Sequence, residues 1–464
     1  MSITSENAAS IDAPRLKRAL TLWNLIIIGI VLIQPTAPMG IYGVISNKAQ
    51  GHVVTTILIA MVAMLLTAIS YGRMARVYPS AGSAYTYVGK EIHPALGYVV
   101  GWSMVMDYVL NPLICVAFCA KAALNILPIF PFYAWALFFA AFFTLLNLRG
   151  IRASAQINEG LCAGLMVVVL IFFGAVVRYL WGMQTYGPGF FSRPFYDPDS
   201  FNTSRLFAGT SVAVLTYIGF DGISTLSEEA ENPRRNILVA TVLVCLITGV
   251  LSGLEVYGAQ LVWGSKAFPS DQVESAFAMI SKQAGGTVLF HVINFTLLIA
   301  TIGSGTGTQL AAGRLLYGMG RGNALPKSFF GAIDPKRQIP RNNIIAVGVF
   351  ALLGASLLEF FARRLGGGAY EIGAQALNFG AFIAFMGVNA SAIARYWFKA
   401  ERKTLGNLLP PLFGFLICGY IWLVLSTAAQ IVGAIWMAAG IIYGAIKTRG
   451  FRAELVNFDM PPEK

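Results

Sequence analysis

Long apolar runs separated by short polar segments occupy most of this chain. A membrane-spanning helix needs roughly 20 mainly apolar residues, and by that measure the pattern predicts twelve spans. Their approximate bounds are 22–46, 53–71, 95–127, 131–148, 157–180, 206–227, 237–262, 287–312, 343–361, 373–397, 407–427 and 429–447. The sequence therefore predicts an all-α polytopic membrane protein with 12 transmembrane helices.

Two of these spans are broken in the middle. The first, over 26–44, is interrupted by QPTAPMG at 34–40, and the sixth, over 206–226, by GFDG at 219–222. Unpaired backbone groups at membrane depth are tolerable only where they line a cavity. Each broken span is the first of a block of five, spans 1–5 and spans 6–10. Because each block has an odd number of spans, the second block has the opposite membrane orientation to the first. This pattern predicts an inverted repeat and the substrate site of a secondary transporter.

The same pattern divides the chain into four regions. We expect a cytoplasmic N-terminal tail at 1–19, a transport core at 20–400, two further helices at 401–447 and a cytoplasmic C-terminal tail at 448–464. Spans 11 and 12 lie outside the repeat, and we expect them to serve packing or dimerisation. The oligomeric state is left open.

Composition and charge agree with this class. Of the 464 residues, 56% are hydrophobic and 12% charged, and the mean hydropathy is +0.67, whereas soluble domains average about 25% charged residues. If the N-terminus is cytoplasmic, only nine of the 33 basic residues lie outside: Lys48, Lys121, Arg178, Arg193, Arg205, Lys266, Lys282, Arg363 and Arg364. This bias predicts that both termini are cytoplasmic. The bias, together with attraction to anionic lipid headgroups, also explains the net charge of +12. We therefore expect the lipid bilayer of the plasma (bacterial inner) membrane as a partner and no nucleic acid.

The residues offer no chemistry for an enzyme. The five cysteines lie within apolar spans, and the three histidines are scattered. We therefore expect no metal site, no cofactor and no catalytic residue, since an intramembrane enzyme needs a nucleophile with its base or a metal cluster. A sensor that keeps a transporter fold is a further alternative, but the tails are too short for a signalling domain.

Four motifs, in order, carry a resemblance to a known family. They are YPSAGSAY at 78–85, GYVVGW at 97–102, YIGFDG at 217–222 followed by SEEAENPRR at 227–235, and GRLLYGMGR at 313–321. With them the chain resembles the amino acid–polyamine–organocation (APC) superfamily of permeases over essentially its whole length. PTAP at 35–38 and the pair Asp107-Tyr108 are most similar to bacterial putrescine-importer-like permeases. The resemblance implies a leucine-transporter-type 5+5 inverted repeat, alternating access, and import coupled to an ion gradient.

The chain departs from that family at two points. Amino acid permeases of this kind usually have a glycine-rich break in span 1, whose bare N–H groups receive a carboxylate. Here Pro35 and Pro38 remove two donors, and Thr36 and Ala37 add bulk, which favours a substrate without a carboxylate. Some proton-coupled relatives carry a lysine in span 5, and residues 157–177 contain none.

Three acids lie far from both membrane faces, and intramembrane acids are usually functional. Asp107 follows the cytoplasmic start of span 3 by about 12 residues, or roughly 18 Å, close to the midplane. We expect Asp107 either to bind the substrate amine or a proton, or to make a structural hydrogen bond to a neighbouring helix. Asp221 either binds substrate or caps the second half of span 6. Glu255 is nearer the external end of span 7 and is functional, paired or water-facing.

The breaks and their neighbours define a candidate site. Aromatic rings can bind an amine by cation–π contact, and freed carbonyls can accept its hydrogens. The predicted substrate-binding residues are Gln34, Pro35, Thr36, Ala37, Asp107, Tyr108, Tyr217, Gly219, Phe220 and Asp221. At the cytoplasmic exit of span 6, we expect Glu228, Glu229 and Arg234 either to form a solvated face or to gate the site, with Arg73, Arg76 or Arg314 as partners.

The expected function is import of an amine or amino acid, with a putrescine-like polyamine favoured and H⁺ as the coupling ion. The alternative is a neutral amino acid permease or exchanger, coupled to Na⁺ or uncoupled. Thr301, Ser304, Thr306 and Thr308, beside three glycines of span 8, either build a Na⁺ site or allow close helix packing.

Overall fold

The computed structural model describes residues 16, 18–149, 151–183, 185–269, 272–365 and 368–448. Most of the predicted tails at 1–19 and 448–464 therefore lie outside the described residues. The α-helices are α1 Leu22–Ile33, α2 Ala37–Lys48, α3 Val53–Val77, α4 Ala84–Glu91, α5 Pro94–Ile126, α6 Phe132–Leu148, α7 Ile151–Trp181, α8 Thr203–Ala213, α9 Gly222–Thr225, α10 Pro233–Trp263, α11 Ala276–Arg321, α12 Lys327–Phe330, α13 Arg341–Leu365, α14 Gly368–Ile393, α15 Leu405–Leu423 and α16 Thr427–Lys447.

Within the described ranges, ten helices are long and apolar enough to cross a membrane. They account for ten of the twelve predicted spans when α1 and α2 are counted together. The fourth predicted span coincides with α6, which has 17 residues and reaches about 26 Å of a hydrocarbon core of about 30 Å. The sixth coincides with α8 and α9, which no continuous helix joins.

The first break is shorter than its sequence suggests. The chain leaves α1 at Gln34, whose φ is 65°, and α2 begins at Ala37. The predicted break over 34–40 is therefore wrong beyond Thr36. The reason is that Pro38 lies in the first turn of α2, where its fixed φ suits a helix and its missing N–H costs no helical hydrogen bond.

The second break lies where the glycines predict it. Helix α8 tightens into a 3₁₀ turn at Val214–Thr216, and only the single turn of α9 follows before α10. Gly219 has a φ of 119°, which side chains rarely tolerate. A Cβ there would lie 3.2 Å from the carbonyl oxygen of Leu32 at the end of α1. The two breaks are thus in direct contact.

The eighth span also differs from its prediction. Gly286, with φ 77°, divides α11 into an outer segment and the long helix of the span. The span was expected to end at 312, where apolar residues give way to polar ones, but the helix continues to Arg321. It can do so because Arg314 and Arg321 have carboxylate partners there.

Helix α5 forms the centre of the bundle and packs along α11, α13 and α14, while α10 packs along α3 and α1. The outer surface is apolar: Leu145 of α6, Leu353 of α13 and Ile435 of α16 are 62%, 59% and 65% exposed. Large aliphatic side chains face outward on several helices, as expected of helices in contact with lipid. The outer pair α15 and α16 packs on α14, and the indoles of Trp102 and Trp436 stack at 5.3 Å.

Enlarging Gly380 will test the packing at the centre of the bundle. A Cβ on this residue of α14 would lie 2.4 Å from the backbone oxygen of Ser103 in α5, so Gly380→Leu must force the helices apart. We expect a loss of about 1–3 kcal/mol of stability, measured by thermal unfolding in detergent. Gly164→Leu is the matched control, because Gly164 of α7 has open space around it. Equal melting temperatures of the two variants would contradict this packing.

Candidate functional site

Asp107 lies on α5 beside the two breaks. Its side chain is 1% exposed, and neither carboxylate oxygen has a hydrogen-bond partner. Close approach of α14 covers it, since a Cβ on Gly380 would lie 3.2 Å from the Asp107 nitrogen. The predicted alternative, a structural hydrogen bond to a neighbouring helix, is absent among the described residues. The structure therefore presents two unused buried acceptors at the middle of span 3.

Asp221 occupies the second break and is also 1% exposed. The hydroxyl of Tyr108 donates a hydrogen bond of 2.6 Å to its Oδ2, and Oδ1 has no partner. The predicted capping role is wrong, because the side chain makes no capping hydrogen bond to α9. Asp221 and Asp107 lie close enough to interact electrostatically. Two buried carboxyl groups with unused oxygens therefore lie within electrostatic range of each other beside the breaks.

The first break presents few donors to an anion. At the start of α2, the N–H of Ala37 donates to the Gln34 carbonyl and the N–H of Met39 to the Thr36 carbonyl, each at 3.0 Å. Pro38 between them has no N–H. A helix N-terminus attracts carboxylates through its free N–H groups, and here this set is reduced. The hydroxyl oxygen of Thr36 is buried and has no partner.

Aromatic rings enclose the second break. Phe220 packs edge-on against Tyr71 of α3 at 5.6 Å and lies 5.1 Å from Phe385 of α14. Tyr71 and Phe385 are 5.9 Å apart, and the buried hydroxyl of Tyr71 has no hydrogen-bond partner. Aromatic faces next to carboxylates suit an organic cation.

Most, but not all, of the predicted substrate-binding residues lie together in the structure. Gly219, Phe220, Asp221, Asp107 and Tyr108 come together at the two breaks, with the segment 34–37 beside them. Tyr217 does not present a free hydroxyl, because that group donates to the Ile57 carbonyl at 2.9 Å.

Three further residues were not predicted from the sequence: Tyr71 of α3, and Asn378 and Phe385 of α14. Both amide atoms of Asn378 are buried without a partner. It is one of three amide side chains within predicted span 10, with Gln375 and Asn389, and polar side chains inside a span are a signal of function. Nothing in the sequence distinguishes Tyr71 and Phe385 among the 18 Tyr and 32 Phe residues of the chain.

Two ion pairs join the end of predicted span 6 to α11. Arg314 of α11 donates from Nε to Oε1 of Glu229 at 3.0 Å and from Nη2 to Oε2 at 2.6 Å, and both side chains are nearly fully buried. Arg321, about two turns further along the same face of α11, also binds Glu228 through two nitrogens, at 3.0 and 2.6 Å. Burial raises the pKa of Glu229, while the Arg314 guanidinium opposes this.

The N-terminal segment joins this cluster. The N–H groups of Ala19 and Leu20 donate to the Glu229 carbonyl at 2.9 and 3.0 Å. Arg314 is thus one of the expected partners, whereas Arg321 was not foreseen. The third predicted gating residue, Arg234, lies exposed in the first turn of α10.

A second polar cluster lies at the C-terminal ends of α3, α4 and α14. Glu91 accepts from the Tyr78 hydroxyl and from Lys399, each at 2.8 Å, and pairs with Arg395 at 3.3 Å. Burial, helped by the hydrogen bond to Glu91, raises the pKa of Tyr78 to about 12. These contacts tie the connection between spans 2 and 3 to the end of span 10.

The hydroxyls of span 8 are engaged by protein groups. Thr301, Thr306 and Thr308 donate to carbonyls one turn earlier in α11, each at 2.7 Å. Ser304 donates to the Leu32 carbonyl at 3.0 Å, and a Cβ on Gly307 would lie 2.8 Å from a Leu32 methyl carbon. These contacts fit close helix packing through small residues. Among the described residues, no group of three or more His, Cys, Asp or Glu could hold a metal ion.

Two helix breaks in contact inside a bundle of apolar helices are typical of a membrane transporter. The family model "Amino acid permease" matches residues 24–455, and the chain belongs to this family. It is 33% identical over 449 residues to the low-affinity putrescine importer PlaP of Escherichia coli strain K12, covering 96% of both chains.

A second relative is the branched-chain amino acid permease BcaP of Lactococcus lactis subsp. cremoris strain MG1363, 26% identical over 93% of this chain and 95% of that protein. Among solved structures, a manganese transporter mutant of Eremococcus coleocola has a TM-score of 0.55 at 12% identity, covering 92% of this chain and 94% of that one. That likeness shows the fold alone.

The buried pair of Arg314 and Glu229 can be tested by a double-mutant cycle. Removing one partner leaves an uncompensated buried charge, so Arg314→Met or Glu229→Gln should each lower the unfolding free energy by about 3–5 kcal/mol. The double variant should recover much of this loss, measured by denaturant unfolding in detergent.

The matched control is the pair of Arg321 and Glu228, whose side chains are 19% and 7% exposed. Because water screens this pair better, the corresponding variants should lose less. Strictly additive losses for Arg314→Met and Glu229→Gln would contradict a direct interaction.

Proposed function

We propose that this protein imports an organic amine, with a putrescine-like diamine as the favoured substrate, by alternating access. The observation that carries the proposal is the pair of buried acids at the touching breaks. Asp107 has two oxygens without partners and Asp221 has one. Carboxylates desolvated in this way are stabilised by a cation that brings its own N–H donors, and a primary ammonium group is such a cation.

The surroundings of the acids support an amine over an amino acid. The ring of Phe220 and the hydroxyl of Tyr71 offer cation–π and hydrogen-bonding contacts to an ammonium group. The start of α2 has few N–H groups for a carboxylate, since two are engaged and Pro38 has none. A putrescine importer covering 96% of both chains agrees with this choice.

The proposal extends to the architecture and the energy source. We place all twelve predicted spans in the bilayer, with α6 as the fourth span and α8–α9 as the broken sixth, arranged as a 5+5 inverted repeat. The N-terminus and C-terminus are placed in the cytoplasm of a bacterial cell, and proton entry drives import. The ion pairs of Glu228 and Glu229 with α11 act as the inner gate, which must open to release substrate.

A neutral amino acid is the second candidate, because a branched-chain amino acid permease aligns along 93% of this chain. Its carboxylate would need N–H donors from the breaks. The two candidates differ in how far uptake depends on the Asp107 carboxylate. An amine substrate binds this carboxylate, whereas the carboxylate of an amino acid binds backbone N–H groups of the first break.

Uptake of labelled putrescine into proteoliposomes under an inward proton gradient tests the proposal. We expect saturable uptake that unlabelled diamines inhibit and alanine does not, because the acids select cations. Uptake of a neutral amino acid without putrescine uptake would overturn the amine assignment in favour of the second candidate.

Asp107→Asn should abolish putrescine uptake while leaving the amount of protein in the membrane unchanged, because the amide keeps the shape of the side chain but removes its charge. The matched control is Asp199→Asn, which changes an exposed aspartate in the connection between α7 and α8 and should transport normally. Full uptake by Asp107→Asn would remove Asp107 from the site.

A further inference from the structure

Glu255 is a buried acid that the proposed substrate site does not use. It lies on α10, eight residues before the helix ends at Trp263, and its side chain is 0% exposed. Neither carboxylate oxygen has a hydrogen-bond partner. Two of the three alternatives left open by the sequence, a paired residue and a water-facing residue, are therefore wrong in this conformation.

Glu255 continues a line of polar groups along one face of α10. Thr248 and Ser252 precede it by seven and three residues, a spacing that places all three on one side of a helix. Their hydroxyl oxygens are buried and have no partners. This is unusual for helical hydroxyls, which commonly bond to a carbonyl one turn back, as Thr241 of the same helix does with Ile237 at 2.7 Å.

The inner end of this line reaches the second break. A Cβ on Gly249, next to Thr248, would lie 3.1 Å from the ring of Tyr217. From Gly249 to Glu255 the helix rises about 9 Å, toward the end of α10 that the distribution of basic residues places outside. The line therefore runs from the substrate-binding break toward the external face.

No charge in the surroundings compensates Glu255. Helices α1, α2, α3, α7, α9 and α11 pack against α10. The connection 185–202 also contacts the outer end of α10, where the Tyr257 hydroxyl donates to the Phe191 carbonyl at 3.2 Å. Within the described residues, the titratable groups beside Glu255 on α10, on the outer halves of the packed helices and in this connection are Tyr42, Lys48, Arg178, Tyr179, Tyr186, Arg193, Tyr196, Asp197, Asp199, Tyr257, Lys282 and His291. None of them is hydrogen-bonded or ion-paired to Glu255.

An ionised carboxylate buried without a partner is strongly disfavoured. In this conformation, which excludes water from the side chain, Glu255 is therefore the neutral acid. It can ionise only in a conformation that admits water or a counter-charge. The occupancy of its proton is thus linked to the conformation of the protein.

From this geometry we infer that Glu255 binds the proton that drives import. The carboxylate takes up one proton from the external side in an open state, carries it as the neutral acid through the closed state, and releases it when the cytoplasmic side opens. One proton and one amine then enter together. This inference rests on the proposed function, which supplies the amine and the direction of transport.

The experiment compares two transport modes of wild type and Glu255→Gln in proteoliposomes with labelled putrescine. Glutamine mimics the permanently protonated acid, so exchange of internal for external putrescine should persist within about twofold of wild type. Accumulation driven by a proton gradient should be lost, and the exchange rate should no longer depend on pH. The matched control is Glu401→Gln, at an exposed position after the last core helix, which should behave as wild type in both modes.

Three other outcomes overturn the inference. Accumulation by Glu255→Gln equal to wild type would exclude a coupling role. A raised KM for putrescine with an unchanged KM for butylamine would make Glu255 a subsite for the second ammonium group. Loss of exchange and accumulation together, with correct membrane insertion, would make it a structural or substrate-binding residue.

Failure of the proposed function is a separate result, because wild type would then show neither exchange nor accumulation of putrescine. In that case infrared spectroscopy still tests the proton on Glu255. The difference spectrum of wild type minus Glu255→Gln at neutral pH should contain the carbonyl stretch of a protonated carboxylic acid. Absence of that band in the folded protein would overturn the inference whatever the substrate.

Discussion

The structure depends on how it satisfies the backbone at two helix breaks within the membrane. In hydrocarbon, an unpaired N–H or carbonyl group is costly, so a break persists only if neighbouring groups replace the lost hydrogen bonds. At the end of α1, the N–H of Gln34 donates to the Ile30 carbonyl at 3.0 Å, and the Leu32 carbonyl accepts from Ser304 at 3.0 Å. Gly219 lets the second break approach the same carbonyl. Small residues of two other spans therefore stabilise the first break.

The buried acids divide into two kinds according to their partners. Glu229 has a bidentate arginine and additional backbone contacts nearby, so its charge is compensated in this conformation. Asp107 and Glu255 have no partner among the described residues. A compensated pair at a boundary stabilises one conformation, whereas an uncompensated acid favours whatever ligand supplies the missing charge. The first arrangement suits a gate, and the second suits binding of a cation or a proton.

The sequence predicts the parts of this site that depend on local chemistry. Prolines and glycines inside apolar runs located both breaks, and an acid within span 3 identified Asp107, because each violates the composition of a membrane helix. Because of Pro38, the first break was predicted to extend too far along the chain, since proline is as compatible with the first turn of a helix as with a loop. Tyr71, Phe385 and Arg321 were missed because only the packing of α3, α14 and α11 brings them to their partners. Tertiary neighbours of this kind leave no local signal in a single sequence.

The distribution of charge also bears on the choice of substrate. Asp107 and Asp221 lie within electrostatic range of each other, and two like charges in a medium of low dielectric repel strongly. Both acids can therefore be ionised together only where a cation compensates them. A neutral zwitterion adds as much negative charge as positive and leaves this repulsion in place. A diammonium ion adds two positive charges a few bonds apart, and it brings donors for the oxygens that have none. The proposed diamine therefore matches the charge of the two acids better than an amino acid does, and the reduced set of N–H groups at the first break favours the same proposal.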